Sequence, residues 1–534
     1  MTVDDQTSRP VRPAVVLAVT SIAFFLAALD NLALNNAMPQ MARDFGMGIS
    51  HLQWVTTAYT LTAGTFALSA SLFGRRLGGG NAYLIGLALF AAGSVAAALA
   101  PSWGVLVAGR VTQGLGGTIV FPAGSAIMRA VFTDDRSRAK ASGVRAAVAG
   151  LGYAMGPVAG GMLVEWFGWR SVLWVNVPVA VAALLISLWA LPRLPGVRVR
   201  WDPLGQVLAA LGLGGLIYGL VQGPVDGWEA GTVLGALSVS ALALPAFIIV
   251  ELRTREPMLE LSIFRDRAFA AASLACFTSS AGLAGTMFFL SLYLQSVLHW
   301  SSGRAGLVFL LGSGFVVLAS PVAGTLSARR SPRGPMLVGA ALCPLALGGL
   351  SLYGRDSSLW DSWWLLPVIG SCVGLTYVPI SVTGNRLASV QRVGMVSAVV
   401  NTVEECGSVV GIAVLGAITS SRLGGALLSR ATQAGVSPVR ARLLVHAVIS
   451  AGPAKSLVGG ANLSPPVRMW VTESFLDGLH LALRCGALAL AYVVAMLVLF
   501  PPRKPVSERV PEDPRPIGRQ RPRAESEAGH SKTR

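Results

Sequence analysis

The chain has 534 residues, 53% of them hydrophobic and only 13% charged, against about 25% charged in a typical soluble domain. Soluble domains with so little charge would be poorly solvated, and the mean hydropathy of +0.63 points the same way: the expected solvent is lipid. The formal net charge of +17 sits in short arginine clusters between apolar runs and near the C-terminus, not along one polar face, so no nucleic-acid partner is expected.

Apolar stretches long enough to cross about 30 Å of hydrocarbon begin near Ala14, His51, Ala82, Gly104, Ser142 and Ser171. Others begin near Leu204, Gly231, Ala268, Ala305, Pro335, Ser362, Val396 and Leu479. The first follows a polar, arginine-bearing N-terminus (1–13) and carries an acid near its middle, so it reads as a span and not as a cleavable leader. The count, about fourteen, makes two six-helix halves, 14–191 and 268–500, joined by two extra helices within 204–251. The expected class is an all-α integral membrane protein.

The connections orient the spans. Arg75-Arg76, Arg129 to Arg145, Arg193 to Arg200, Arg253 to Arg267, Arg329-Arg330-Arg333 and the tail from Arg503 alternate with uncharged Pro101-Ser102-Trp103 and acidic Asp226 and Glu229. The positive-inside bias then places both termini in the cytoplasm of a multi-pass cell-membrane protein. Segment 420–471 reads as an external loop with one or two short interfacial helices, broken by Gly-Gly, Pro and Asn. Residues 503–534, rich in Pro, Arg and Glu, are expected to be disordered, either against anionic lipid or simply solvated. Cys276, Cys343, Cys372, Cys406 and Cys485 show no CxxC spacing, so they read as small packing residues, with neither disulfide nor metal site expected.

A repeat is visible across the halves. Leu72-Phe-Gly-Arg75-Arg76 precedes Tyr83-Leu84-Ile85-Gly86, and Leu326-Ser-Ala-Arg329-Arg330 precedes Met336-Leu337-Val338-Gly339. Two related halves around a midplane site are a transporter architecture, although apolar segments also align by chance.

No GxxxxGK[ST] is present, so energy must come from an ion gradient unless transport is passive. Polar residues inside spans are costly and default to functional candidates. Asp30, in Leu29-Asp30-Asn31-Leu32-Ala33-Leu34-Asn35-Asn36, must be protonated, paired or facing water; it is a proton carrier or a structural acid bonded to Asn31 or Asn35. Arg110, in Gly109-Arg110-Val111-Thr112-Gln113-Gly114, wants a carboxylate, carbonyls or water, and could tune an acid or pin two helices. Gly150 to Gly161 combines small residues four apart with a Pro157 kink, suited to a moving interface or to ordinary close packing. Glu404 and Glu405 point about 100° apart on a helix, so one of them can face a central cavity and receive protons or a cation, or both can lie near the surface beside Arg386 or Arg392.

These residues resemble the major facilitator superfamily, and within it the fourteen-helix drug:proton antiporters. Leu29-Asp30 with Asn35 and Pro39 resembles that family's first-span motif, and Arg110-Val-Thr-Gln113-Gly114 its fourth-span element, implicated in proton coupling. Gly152, Gly156, Pro157, Gly160 and Gly161 resemble the antiporter motif, which Trp169-Arg170 and Asn176-Val177-Pro178 continue. Gly374-Leu375 with Val378-Pro379 resembles a twelfth-span element. Two departures stand out: Arg75 replaces the acid of the family's loop between spans two and three, with Arg76 and Gly78 matched, and Glu404-Glu405 replace an arginine and a glutamine.

The resemblance implies the major facilitator fold and proton-coupled efflux of hydrophobic, in part cationic, drugs or antibiotics by alternating access. No cofactor is implied beyond the proton gradient, and the partners are a small molecule, protons and the bilayer around a monomer. Asp30, Arg110, Glu404 and Glu405 are then proton-coupling candidates; Asn35, Gln113, Phe121, Tyr153, Phe289, Tyr293 and Tyr377 are cavity candidates, aromatic packing being the alternative. High Ala, Gly and Arg usage suggests a bacterial source. An uptake permease and a non-transporting sensor of the same fold are the alternatives. A membrane enzyme is disfavoured, because His51, His299, His446, His480 and His530 are scattered.

Overall fold

The computed structural model describes residues 12–192, 194–196, 202–254, 259, 261–329, 331–354, 363–387, 393–451 and 464–499. Regular structure among them is helical, without a strand. That is what lipid demands of an apolar chain, since each backbone N–H and C=O must be satisfied within its own segment. The first half contains α1 (Pro13–Phe45), α2 (Ile49–Leu77), α3 (Gly79–Ala98), α4 (Trp103–Val131) and α5 (Asp135–Phe167), then a broken pair, α6 (Arg170–Trp174) and α7 (Asn176–Ala190). Then follow α8 (Pro203–Asp226) and α9 (Gly231–Arg253). The second half has α10 (Arg267–Leu292), closing in a π-helical turn (Tyr293–Val297), α11 (Ser302–Arg329), α12 (Arg333–Leu350) and α13 (Leu365–Leu387). It ends with α14 (Val393–Gln433), α15 (Pro438–Ala451) and α16 (Pro465–Leu499).

Twelve helices among the described residues are long and apolar enough to cross a membrane, with α6 and α7 counted as one. The two long helices outside that set have identifiable reasons. In α13 the apolar stretch covered by the described side chains is Leu365–Ile380. In α2 the threonines dilute the hydropathy, yet Thr57, Thr62 and Thr65 are buried because each hydroxyl donates back to the carbonyl four residues earlier, at 2.7, 2.7 and 2.8 Å. A helix can therefore be polar by composition and still satisfy its buried threonine hydroxyls.

Within the first half α1 packs on α5, α2 on α4, and α3 on α4 and α7; within the second, α10 and α16 pack on α14, and α11 and α12 on α13. The halves meet where α5 lies on α11 and α2 on α14. The α8–α9 pair sits beside that second seam, with Ile217 and Val221 of α8 buried against Val409 and Ala413 of α14. The twin-arginine segments Leu72–Arg76 and Leu326–Arg329 both end a helix (α2 and α11) just before the next begins.

Segment 420–471 departs from the expected loop. α14 continues to Gln433 and ends only at Gly435, which has φ 83°. Gly424, inside α14, lets Ile449 of α15 approach: a Cβ there would lie 3.0 Å from its Cδ1. α16 starts at Pro465, well before Leu479. Arg430 ties the extension to α16, 2.8 Å from Asp477, 3.3 Å from Glu473 and 2.9 Å from Ser474. Residues 1–11, Arg193, 197–201, Arg330, Arg392, 452–463 and the tail 503–534 lie outside the described residues.

Candidate functional site

Asp30 and Arg110 are partners. Arg110 Nη1 is 2.6 Å from Asp30 Oδ2, and the two side chains are 1% and 0% exposed. α1 brings the acid and α4 the base, and three further elements close the site. Asn176, at the start of α7, donates to Asp30 Oδ1 at 2.6 Å. Gln113, one turn after Arg110, donates to the same oxygen at 3.1 Å, while its own Oε1 accepts from Arg110 at 2.7 Å. Ser94 of α3 is bonded to Gln113 Nε2 at 2.9 Å. On the other side Arg110 Nε donates to the Val55 carbonyl at 3.2 Å, and the guanidinium stands 4.7 Å from the ring centre of Tyr59, both on α2.

Desolvating two charges costs more than their attraction returns unless hydrogen bonds complete the shells. Here the carboxylate has three donors and the guanidinium has two more acceptors and an aromatic face. A proton added to Asp30 would cancel its charge and leave Arg110 uncompensated in the same cage. Gln113, expected in the substrate cavity, belongs to this network instead, because its position one turn from Arg110 puts both on the α1-facing side of α4. Ser94, Tyr59 and Val55 were not singled out from sequence: a lone serine and a lone tyrosine in apolar runs carry no distinguishing signal, and a backbone carbonyl carries none at all.

The glycines of α5 make the wall between this site and the second half. Built Cβ atoms on Gly152, Gly156 and Gly160 would lie 2.7 Å from the Phe25 carbonyl, 3.2 Å from the Leu29 carbonyl and 2.5 Å from Ala33 Cα, so that face is pressed on α1 around Asp30. Gly161 turns to the opposite side and touches the Ser302 carbonyl of α11, while Gly306 of α11 touches the Pro157 carbonyl. That carbonyl accepts instead from Asn36 Nδ2 at 2.7 Å.

Polar contacts between the halves gather at the end of the bundle where α1 finishes. Ser291 donates to the Asn35 carbonyl at 2.5 Å and Gln295, in the π-helical turn, to the Asn36 carbonyl at 3.3 Å. Gln53 of α2 donates to the Ile412 carbonyl of α14 at 2.7 Å, and Gly303 N to Glu165 at 2.8 Å. This end is closed.

Beneath it, between the halves, lies an apolar cavity lined by Leu32 and Asn35 of α1, Tyr153 and Pro157 of α5, Leu283 and Met287 of α10, and Phe309, Ser313 and Val316 of α11. Of the cavity residues expected from sequence, Asn35 and Tyr153 are there. Phe289 instead meets Phe288 edge-on (ring centres 4.9 Å apart), and Tyr293 donates its hydroxyl to the Gly354 carbonyl at 2.7 Å. Phe121 meets Phe24 edge-on at 4.4 Å within the first half, and Tyr377 donates to Asn401 at 3.3 Å. Aromatic residues in apolar helices mark burial, and only helix rotation decides between cavity and core.

Glu404 lies beside Tyr377, whereas Glu405 turns toward α2, its Cβ 3.4 Å from where a Gly64 Cβ would be. Both are half-buried, neither has an ion pair among the described residues, and Tyr153 is an electrostatic neighbour of both. Arg75 and Arg76 are exposed. The turn they precede is held by backbone: Gly78 (φ 82°) and Gly196 let the segment after α7 lie on the α2–α3 corner, against the Leu194 and Arg76 carbonyls. No group of three or more metal-ligating side chains occurs among the described residues.

An all-helical chain with twelve described helices apolar enough to cross a membrane, a buried ion pair inside its first half and an apolar cavity between its halves defines the class, a helical membrane transporter. The chain belongs to the major facilitator superfamily, whose family model matches residues 20–412. It is 33% identical over 491 residues to the multidrug resistance protein Stp of Mycobacterium tuberculosis (strain CDC 1551 / Oshkosh), covering 89% of this chain and 90% of that one. It is 31% identical over 516 residues to the tetracenomycin C resistance and export protein of Streptomyces glaucescens, covering 94% of each. With the puromycin resistance protein pur8 of Streptomyces alboniger it shares 35% over 434 residues, 79% of this chain and 84% of the other. Among solved structures, a bacterial homologue of the human lysosomal transporter Spinster, inward-facing and unoccupied, superposes with a TM-score of 0.63 at 16% identity, covering 92% of this chain and 97% of that one, a likeness of fold alone.

Proposed function

We propose that this chain exports hydrophobic organic molecules, drugs or antibiotics among them, across a bacterial cell membrane in exchange for protons. With α2 and α13 included it crosses fourteen times and keeps both termini in the cytoplasm. It works as a monomer driven by the proton gradient, without a cofactor.

The carrying observation is the fully buried Asp30–Arg110 pair, caged by Gln113 and Asn176. Protonation of Asp30 releases Arg110 from its counter-charge, an imbalance large enough to move α4 against α1. Since α5 is pressed on α1 around Asp30 and touches α11 through Pro157 and Gly161, the displacement reaches the cavity and the closed end beyond it. The arginine bias of the connections makes that closed end external. The conformation is then one that admits substrate from the cytoplasm. Glu404 and Glu405, beside Tyr153 of the cavity wall, offer a counter-charge to cationic substrates. The names of the relatives, a multidrug resistance protein and an export protein among them, support the outward direction.

The test uses inverted membrane vesicles loaded by an imposed proton gradient, with a growth-inhibition panel in an efflux-deficient host choosing the compound. Uptake into inverted vesicles should require the gradient, collapse with a protonophore, and disappear in Asp30→Asn while membrane expression persists. Gradient-driven export undiminished by Asp30→Asn would sink the coupling role, and accumulation of the compound in intact cells would reverse the direction.

A further inference from the structure

Asp30, Arg110, Gln113, Asn176 and Ser94 are each held by at least one side-chain hydrogen bond, with Asn176 Oδ1 left over; beside them Asn35 is held by none among the described residues. Asn35 is 8% exposed and lines the central cavity. Its Oδ1 is buried and has no hydrogen-bond partner, and its Nδ2 donates to nothing among the described residues. Its backbone carbonyl, by contrast, accepts from Ser291 across the halves, so the residue's structural duty is met by the main chain. The neighbouring Asn36 differs at the other end of the amide: its Nδ2 is bonded to the Pro157 carbonyl at 2.7 Å, although its Oδ1 too has no partner. A buried amide without a partner is costly, and a leucine would fill the place more cheaply. Around it the wall is apolar (Leu32, Pro157, Leu283, Met287, Phe309), and Ser313 spends its hydroxyl on the Phe309 carbonyl of its own helix at 3.2 Å.

We propose that the Asn35 carboxamide is the directional contact for substrate in this cavity, and that the preferred substrates are aromatic, apolar molecules carrying one N–H or O–H donor matched to it. The proposal deepens the export reading above by naming the chemistry its cavity selects. Apolar walls grip by area and discriminate weakly, whereas a buried acceptor penalises any ligand that enters without a donor.

The probes are N-phenyl-1-naphthylamine, which has a single N–H, and its N-methyl analogue, which has none. Binding to the purified full-length protein in detergent is read from probe fluorescence. The wild type should bind the N–H compound about three- to tenfold more tightly. Asn35→Leu and the smaller Asn35→Ala should bind the two compounds equally, with the N-methyl compound held within about twofold of its wild-type affinity. Equal affinities in the wild type, no saturable binding of the N–H probe, or a preference that persists in either variant would each overturn the assignment. The wild-type comparison decides alone if a variant fails to fold. Discriminating binding without proton-driven uptake of the same probe into inverted vesicles would refute the export reading while leaving the Asn35 contact in place.

Discussion

Two arginine–carboxylate sites occupy opposite situations in the two halves. In the first half Arg110 and Asp30 are 2.6 Å apart and 1% and 0% exposed; in the second, Arg430 and Asp477 are 2.8 Å apart but 27% and 41% exposed, with Glu473 sharing the guanidinium at 3.3 Å. The distances are nearly equal, so distance is not what separates them. Water at the rim screens the Arg430 cluster and receives either charge if the other is lost. At Asp30 nothing but the protein can do so, and a single proton changes the balance. Burial is what the proposed switch has and the tether lacks. Among the described residues the buried charged side chains are Asp30, Arg110 and Glu251, so the second half contributes none at that depth; it supplies apolar wall and hydroxyls.

The strongest way to break that comparison is to remove one partner. Arg110→Ala leaves Asp30 with two amide donors and an unbalanced buried charge, and should cost about 3–5 kcal/mol, seen as a lower unfolding midpoint in detergent. The double replacement Asp30→Leu with Arg110→Met should recover most of that loss and still show no proton-driven transport. If the double variant were as unstable as the single one, the cage would be a packing feature and not a charge balance.

Next in size is the contact through which the proposed cycle would carry movement out of the cage. Gly160→Val puts a branched side chain where even a Cβ would lie 2.5 Å from Ala33 Cα, so α5 must part from α1. An overpacking cost of about 1–3 kcal/mol is expected, with transport lost although the Asp30 cage is untouched. Gly143, whose Cβ would meet nothing within 4 Å, is the control on the same helix, and Gly143→Val should transport normally. Equal transport by the two variants would disconnect the α1–α5 seam from function.

How much of this was legible beforehand follows from what a sequence can encode. Helices and lipid exposure depend on composition over a window, so the spans and the two halves were readable. Asp30 and Arg110 were conspicuous because charge in an apolar run is rare. Their mutual pairing was not, since it depends on how α1 and α4 rotate against each other. The same ignorance of rotation put Gln113, Phe289 and Tyr293 in the cavity, where the structure places a bond network and packed rings, and overlooked Met287 and Phe309. The extent of α14 was hidden for a related reason: glycine is the same letter whether it ends a helix, as Gly435 does, or admits a neighbour, as Gly424 admits Ile449.

The smallest effect belongs to the exposed site, and its smallness is the point. Arg430→Ala removes three contacts to α16, yet each surviving carboxylate is about two-fifths exposed and regains water. The expected loss is about 1 kcal/mol or less, and it should shrink further in high salt, as surface pairs do. Proton-driven transport should be unchanged, because the side-chain contacts of Arg430 go to Glu473, Ser474 and Asp477 and none goes to the Asp30 cage. Unfolding of Arg430→Ala and Arg110→Ala, measured side by side at low and high salt, gives the ratio directly. A salt-insensitive loss of several kcal/mol at Arg430 would show that exposure does not set the worth of an ion pair in this bundle, and the contrast between the two halves would have to rest on packing instead.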